Sequence, residues 1–215
     1  MLRTREDFIV SPTNAAAVGL VDAWPAWPGC ALALVGPAGV GKSLLARLWA
    51  EEAGAAVFDA RDPAILDQLA PQPPRPVLLE DADQGAPDEL LFHLINRAAL
   101  DGGGLLLTAR TPPSAWPASL PDLRSRLNAL SVASLPPPDD VILEGMLRNL
   151  FRERSFEPSD DLISYLLRRI ERSAPYVQSL VERLGELAGA EHRPLTRALA
   201  RQILEIDDET SDEAD

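Results

Sequence analysis

Residues 31–48, ALALVGPAGVGKSLLARL, constrain the fold of this chain more than any other stretch. An unbroken apolar run from Ala31 to Val35 leads into Gly36-Pro37-Ala38-Gly39-Val40-Gly41-Lys42-Ser43, and an apolar-periodic segment with Leu44, Leu45 and Leu48 follows. That is G-x-x-x-x-G-K-[ST] between a buried strand and a helix, the setting in which the pattern is a P-loop. The glycines let backbone N–H groups close around phosphate oxygens, which a side chain at Gly39 or Gly41 would obstruct. The helix beginning near Gly41 aims its positive dipole end and free N–H groups at the same anion. Lys42 is expected to place its ammonium on the outer phosphates, and the Ser43 hydroxyl to ligate Mg²⁺. The residues expected to hold a nucleoside triphosphate or diphosphate are therefore Gly36, Gly39, Val40, Gly41, Lys42, Ser43 and Leu44.

Composition supports that assignment. The chain carries twenty Lys plus Arg, and Lys42 is its one lysine, so a compact point charge is kept where phosphate is expected and arginine is used elsewhere. With 215 residues and 46% hydrophobic content, the chain has room for a core, which excludes global disorder. It is long enough for one large domain, or a medium domain with a small appendage. No apolar run is long enough to span a bilayer, and MLRTREDF lacks the apolar region of a signal peptide. Cys30 stands alone and cannot form an internal disulfide, so a reducing cytoplasmic setting is expected and no membrane partner. Net charge is −13, seven of the acids lie in Glu205–Asp215, and without that tail the chain still carries −6. Such a balance disfavours nucleic-acid binding, which needs several basic contacts to phosphates.

Elements alternate along the first part of the chain. Asn14 or Thr13 is expected to cap a helix over about Ala15 to Trp24, ahead of the P-loop strand. Ala55 to Asp59 reads as a second strand and Pro63 to Leu69 as a short helix, followed by a loop over Pro71 to Pro76. Val77-Leu78-Leu79-Glu80-Asp81 is a buried strand ending in two carboxylates, a Walker-B-like arrangement. Parallel to the first strand, it would bring Glu80 or Asp81 to the phosphates, where an acid can hold Mg²⁺ or its water. Pro87 to Leu100 has helical spacing. Leu105 to Thr108 is the next buried strand, with Thr108, Arg110 or both at its carboxyl end, and Leu130 to Val132 is the fifth. The fold class is therefore α/β, a parallel sheet with nucleotide at its carboxyl edge.

Pro136-Pro137-Pro138 marks a boundary, and beyond it the pattern is helical: about Asp139 to Arg154, Ser159 to Arg172, Pro175 to Leu187 and Leu195 to Ile206. Three parts are expected: 1–135 as the nucleotide-binding domain, 136–206 as a small all-α lid, and 207–215 as an acidic disordered tail.

A P-loop α/β domain followed by a helical lid resembles the AAA+ plan, and several stretches narrow the resemblance to the DnaA-related branch. Phe8-Ile9-Val10 with Asn14 resembles the segment that folds over the adenine there, which implies Ile9 and Val10 in nucleotide binding. Ser125-Arg126-Leu127 resembles the box whose Arg is the arginine finger, and Leu106-Leu107-Thr108 looks like the sensor I strand. Carried over, the resemblance implies catalytic roles for Arg126, Asp81, Glu80 and Thr108, Ser43 and Glu80 as Mg²⁺ ligands, and ADP or ATP as the cofactor. Gln178 falls where the family's sensor II Arg is aligned, and Glu80-Asp81 stands where the usual order begins with Asp.

An origin-reading helix-turn-helix domain is not seen after the lid. That makes the chain most similar to the stand-alone Hda-type regulators of DnaA, particularly the alphaproteobacterial ones. The resemblance implies a regulator of bacterial replication initiation that stimulates hydrolysis of DnaA-bound ATP. DnaA and the sliding clamp are the implied partners, although no Gln-Leu-x-Leu-type clamp-binding peptide precedes Leu2. A self-assembling DnaA-like ATPase, and a nucleotide-dependent adaptor that catalyses nothing, remain alternatives. Homo-oligomers belong to the first of these, and specific DNA binding is expected of none.

Overall fold

The computed structural model describes residue 5 and residues 8–62, 75–190 and 195–212, which divide into two compact units at Pro137/Pro138. In the first unit the apolar runs become strands β1 (Ala31–Val35), β2 (Ala56–Asp59), β3 (Val77–Glu80), β4 (Leu105–Ala109) and β5 (Ser131–Ser134). All pair in parallel, in the spatial order β2-β3-β4-β1-β5. Helices intervene: α1 (Ala15–Asp22), α2 (Lys42–Ala53), α3 (Asp88–Asp101) and α4 (Pro121–Ala129). The short helix expected over Pro63–Leu69, and the first part of the proline-rich loop after it, lie outside the described residues.

A parallel sheet covered on both faces has apolar side chains at every strand position rather than at alternate ones. Here the alternation sorts them into two cores. Ala31, Ala33, Val35, Leu79, Leu105 and Leu107 pack with Leu90, Leu94 and Ile95 of α3 and Leu123 and Leu127 of α4. Leu32, Leu34, Leu78 and Leu106 point the other way and pack with Val18 and Val21 of α1 and Leu45, Ala46 and Trp49 of α2. The P-loop helix is thus fixed to the sheet by its own apolar stripe, which sets where its N-terminus sits.

The second unit is all helical: α5 (Asp140–Glu153), α6 (Asp160–Leu167), α7 (Ala174–Ala190) and α8 (Arg197–Asp212). Its core joins Leu143, Leu147 and Phe151 of α5, Leu162 and Leu166 of α6, Val177, Val181 and Leu184 of α7, and Leu199 and Ile203 of α8. Asp139 caps α5 by accepting from the Ile142 N–H at 3.0 Å, and Ser159 caps α6 by accepting from Leu162 at 3.2 Å. Two expectations are corrected. The helix expected to run to Arg172 stops at Leu167, because the chain turns at Arg168 and Ser173 caps the next helix through the Tyr176 N–H. The last helix continues through Asp212, into the stretch expected to be a disordered acidic tail. Among the described residues no helix is long and apolar enough to cross a membrane.

Leu106 is fully buried in β4, between β3 and β1. Leu106→Ala is expected to destabilise the first unit by about 2–5 kcal/mol, through lost transfer energy plus the cavity left behind. Leu100, 85% exposed at the end of α3, is the control, and its replacement by Ala should stay within about 0.5 kcal/mol. Urea denaturation followed by circular dichroism measures both; equal effects would contradict the placement of the core.

Candidate functional site

Because β4 lies between β1 and β3, the chain leaving β1, the acids leaving β3 and the end of β4 all emerge at one carboxyl edge. The loop after β1 uses glycine where only glycine serves. Gly39 and Gly41 have φ of 76° and 97°, and a Cβ on Gly36 would run into the carbonyl oxygen of Leu135. Gly41 is the N-cap of α2, and a Cβ there would stand 3.4 Å from the Phe8 ring. Lys42 opens the helix and is buried, and its Nζ donates to the carbonyls of Gly36 and Pro37, each at 2.7 Å. Burial pushes its pKa below the ordinary lysine range, while the nearby charges of Asp81 and Asp83 pull the other way and Arg110 adds to the lowering. Ser43 is exposed on the first turn of α2, with Val40 and Leu44 half-buried beside it.

The segment leading into α1 lies against this loop. Phe8 is buried in the same core as Leu45 and Ala46. Asn14 occupies the expected N-cap position of α1, yet its side chain makes no capping bond. Instead its Oδ1 accepts from the Ser11 N–H at 2.9 Å and its Nδ2 donates to the Ile9 carbonyl at 3.0 Å, which pins the turn that carries Ile9 and Val10. Ile9 is half-buried and Val10 is 46% exposed.

The two acids after β3 are both engaged. Glu80 is buried, and its carboxylate receives Arg47 of α2 twice over: Nε reaches Oε1 and Oε2 at 3.3 Å, and Nη2 reaches Oε2 at 2.7 Å. Asp81 sits in left-handed backbone at φ 54°, where aspartate is tolerated, and turns its N–H onto Thr108 Oγ1 at 3.0 Å. Its carboxylate lies 3.3 Å from Arg61, which is itself gripped by Asp59 at 2.6 Å. Those bonds hold the Asp59 carboxyl down at about 2. Asp83 accepts from the backbone N–H groups of Arg110 and Thr111 and from the Thr111 hydroxyl, tying the end of β4 to the turn after β3 and keeping its pKa below the ordinary carboxylate range against the effect of burial.

The structure therefore gathers Gly36 to Leu44, Glu80, Asp81 and Thr108 on one edge, with Phe8 to Val10 beside the loop. Arg126 lies elsewhere in the unit, half-buried on α4, with its guanidinium carbon over the Phe92 ring, 5.2 Å from the centroid. Arg124 on the same helix is exposed and donates to the Ala118 carbonyl at 2.7 Å. Gln178 is half-buried on α7 of the second unit.

A nucleotide fits the loop. Gly39 and Gly41 hold the left-handed turns that such a loop needs, and a lysine ammonium has three donors, of which two carbonyls occupy two. A carboxylate-held Mg²⁺ fits poorly, because both Glu80 oxygens already accept from Arg47. Sequence reading passed over Arg47, Arg61 and Asp83. Arg47 was open to notice, one turn beyond Ser43 on the same helix face, but its partner appears only once α2 is laid on β3.

Comparison with known proteins places this edge in context. No protein-family model matches the chain. It is 28% identical over 123 residues to the chromosomal replication initiator protein DnaA of Thermomicrobium roseum, an alignment covering 57% of this chain and 26% of the relative. The match thus spans about a quarter of that protein's length. Domain III of Thermotoga maritima DnaA superposes with a TM-score of 0.76 at 16% identity, over 94% of this chain and 95% of that one. AMPPCP-bound DnaA from Aquifex aeolicus gives 0.70 at 19%, over 87% of this chain and 66% of that one. The Thermotoga maritima RuvB branch-migration motor gives 0.74 at 16%, over 95% and 72%.

The fold is that of an AAA+ P-loop NTPase. Within it the chain is DnaA-like, in sequence over the aligned part and in architecture over nearly all of its length.

In this AAA+ fold Thr108 has a structural duty that can be tested. Thr108→Val keeps the shape but removes the acceptor for the Asp81 N–H, leaving a part-buried donor unpaired at a cost of about 1 kcal/mol. Thermal melting and hydrogen exchange at the Asp81 amide measure it. Unchanged melting with unchanged protection would refute the bond.

Proposed function

We propose that this chain is a nucleotide-binding AAA+ regulator of replication initiation, which holds ADP or ATP at Gly36–Leu44 and acts on a DnaA neighbour by supplying Arg126 in trans. One observation carries the reading: the loop after β1 keeps its left-handed glycines and Lys42 at the start of α2, while both acids after β3 are paired with the chain's own arginines. That arrangement favours retention of a nucleotide over its turnover, because a carboxylate that already accepts from a guanidinium has fewer lone pairs to offer a cation or a water. Lys42 would leave its loop carbonyls for the outer phosphates, and the N–H groups at the start of α2 would hold the rest. Ile9 and Val10 would cover the base from the pinned turn above the loop. The AMPPCP-bound DnaA structure, with its similar architecture, supports a nucleotide in this position.

Arg126 suits the trans role on chemical grounds. A guanidinium is planar, keeps its charge and contacts two phosphate oxygens at once. Its seat over the Phe92 ring holds the guanidinium in place, and among the described residues no ion pair neutralises it. Charge developing on a transferred phosphoryl group is stabilised most by such a preorganised cation. The sliding clamp is the second partner of this proposal, as the platform on which the two proteins meet.

Single-turnover hydrolysis of ATP preloaded on DnaA, with clamp and DNA present, tests the assignment. Arg126→Ala is expected to leave folding and nucleotide affinity of this chain near wild type. It should abolish the stimulation, a loss of roughly 4–7 kcal/mol of transition-state stabilisation. Arg124→Ala, whose guanidinium serves a local carbonyl, should cost far less. Full stimulation by Arg126→Ala would overturn the finger and leave the adaptor reading.

A further inference from the structure

The pairing of Glu80 with Arg47 has a consequence for the ligand itself. Glu80 is only 8% exposed, so its charge needs a partner in place, and the cation that reaches it comes from α2, one turn beyond Ser43. Three contacts between 2.7 and 3.3 Å engage both carboxylate oxygens, the fork geometry that suits arginine. The next acid is compensated as well, since Asp81 faces Arg61, which Asp59 holds in position. In a P-loop site with bare acids a divalent cation has two electrostatic tasks: it screens the acid from the phosphates and bridges them. Here the first task is already met by a side chain. For the second, Mg²⁺ would have to share a buried carboxylate with a guanidinium whose charge opposes it, and surrender water of its own, which it does reluctantly.

We infer that Arg47 stands in for the divalent cation, so that this chain holds ADP or ATP with an affinity that does not depend on Mg²⁺. The inference rests on the nucleotide reading above and specifies the form of the ligand: the free di- or triphosphate as readily as its magnesium complex. Removing Arg47 exposes an unpaired carboxylate to the phosphates. Like charges then oppose binding unless a divalent cation intervenes.

Titration calorimetry with ADP, in millimolar Mg²⁺ and again in excess EDTA, measures this on the full chain. The wild type should show dissociation constants agreeing within about threefold in the two media. Arg47→Gln should bind at least about tenfold more weakly in EDTA than in Mg²⁺, as a freed carboxylate demands. Arg47→Gln leaves the buried Glu80 without its cation, so melting curves check that each variant folds. Arg47→Lys, which keeps the charge, should retain wild-type insensitivity, and adding Glu80→Gln to Arg47→Gln should restore it. A wild type that loses tenfold or more in EDTA would overturn the inference while leaving the nucleotide reading intact. So would an Arg47→Gln variant with the wild-type ratio. No binding in either medium would overturn the nucleotide reading, and this inference with it.

Discussion

The insertion of β4 between β1 and β3 is the constraint on which the site depends. It aligns Leu34 with Thr108 and Leu79 with Leu107, so that the P-loop, the acidic turn and Thr108 leave the sheet at one level. Thr108 then accepts from the Asp81 N–H, and Asp83 accepts from the N–H groups of Arg110 and Thr111. Two neighbouring turns are thereby laced together by backbone donors, which positions carboxylates more firmly than flexible side chains could. Both faces of the strands must be apolar for this to hold, which is why β1 and β4 have no exposed residue.

Around that frame the charges are resolved locally. The lone lysine is satisfied by loop carbonyls, Glu80 by Arg47 and Asp81 by Arg61. Each of these bonds is short in sequence reach or crosses a single strand, so the edge is electrostatically settled within the first unit. A polyphosphate arriving there meets one ammonium, released from two carbonyls, and a ring of backbone N–H groups. The acids that would oppose it are already compensated. On the proposed function, this arrangement favours retention of a nucleotide over its turnover.

Much of this was legible from residues alone, for physical reasons. Buried parallel strands are unbroken apolar runs, so β1, β3 and β4 stood out, and G-x-x-x-x-G-K-S located the loop by its conformational demands. Asp139 and Ser159, the first residues of two expected helices, each accept from the N–H three positions on, as caps do. Asn14 misled because its side chain had two local alternatives to capping, Ser11 and Ile9, and the turn chose them. The partners of Glu80 and Asp81 were hidden for a different reason. Which arginine meets which acid depends on strand order, and no spacing rule carries that order. The acidic end of α8 was read from composition as solvated coil, whereas the helical segment that starts at Arg197 carries on through Asp212.

The central claim is that Gly36–Leu44 holds a nucleotide through Lys42, and thermal melting in the presence of ADP tests it most directly. A ligand that binds only the folded chain stabilises it by about 2.7 kcal/mol at a hundred times its dissociation constant. The account predicts a melting temperature that climbs with ADP concentration for the wild type. For Lys42→Ala the climb should need at least about tenfold more ADP, since the one ammonium of the cradle is gone. A wild-type melting temperature indifferent to saturating ADP, or an identical titration for Lys42→Ala, would contradict it.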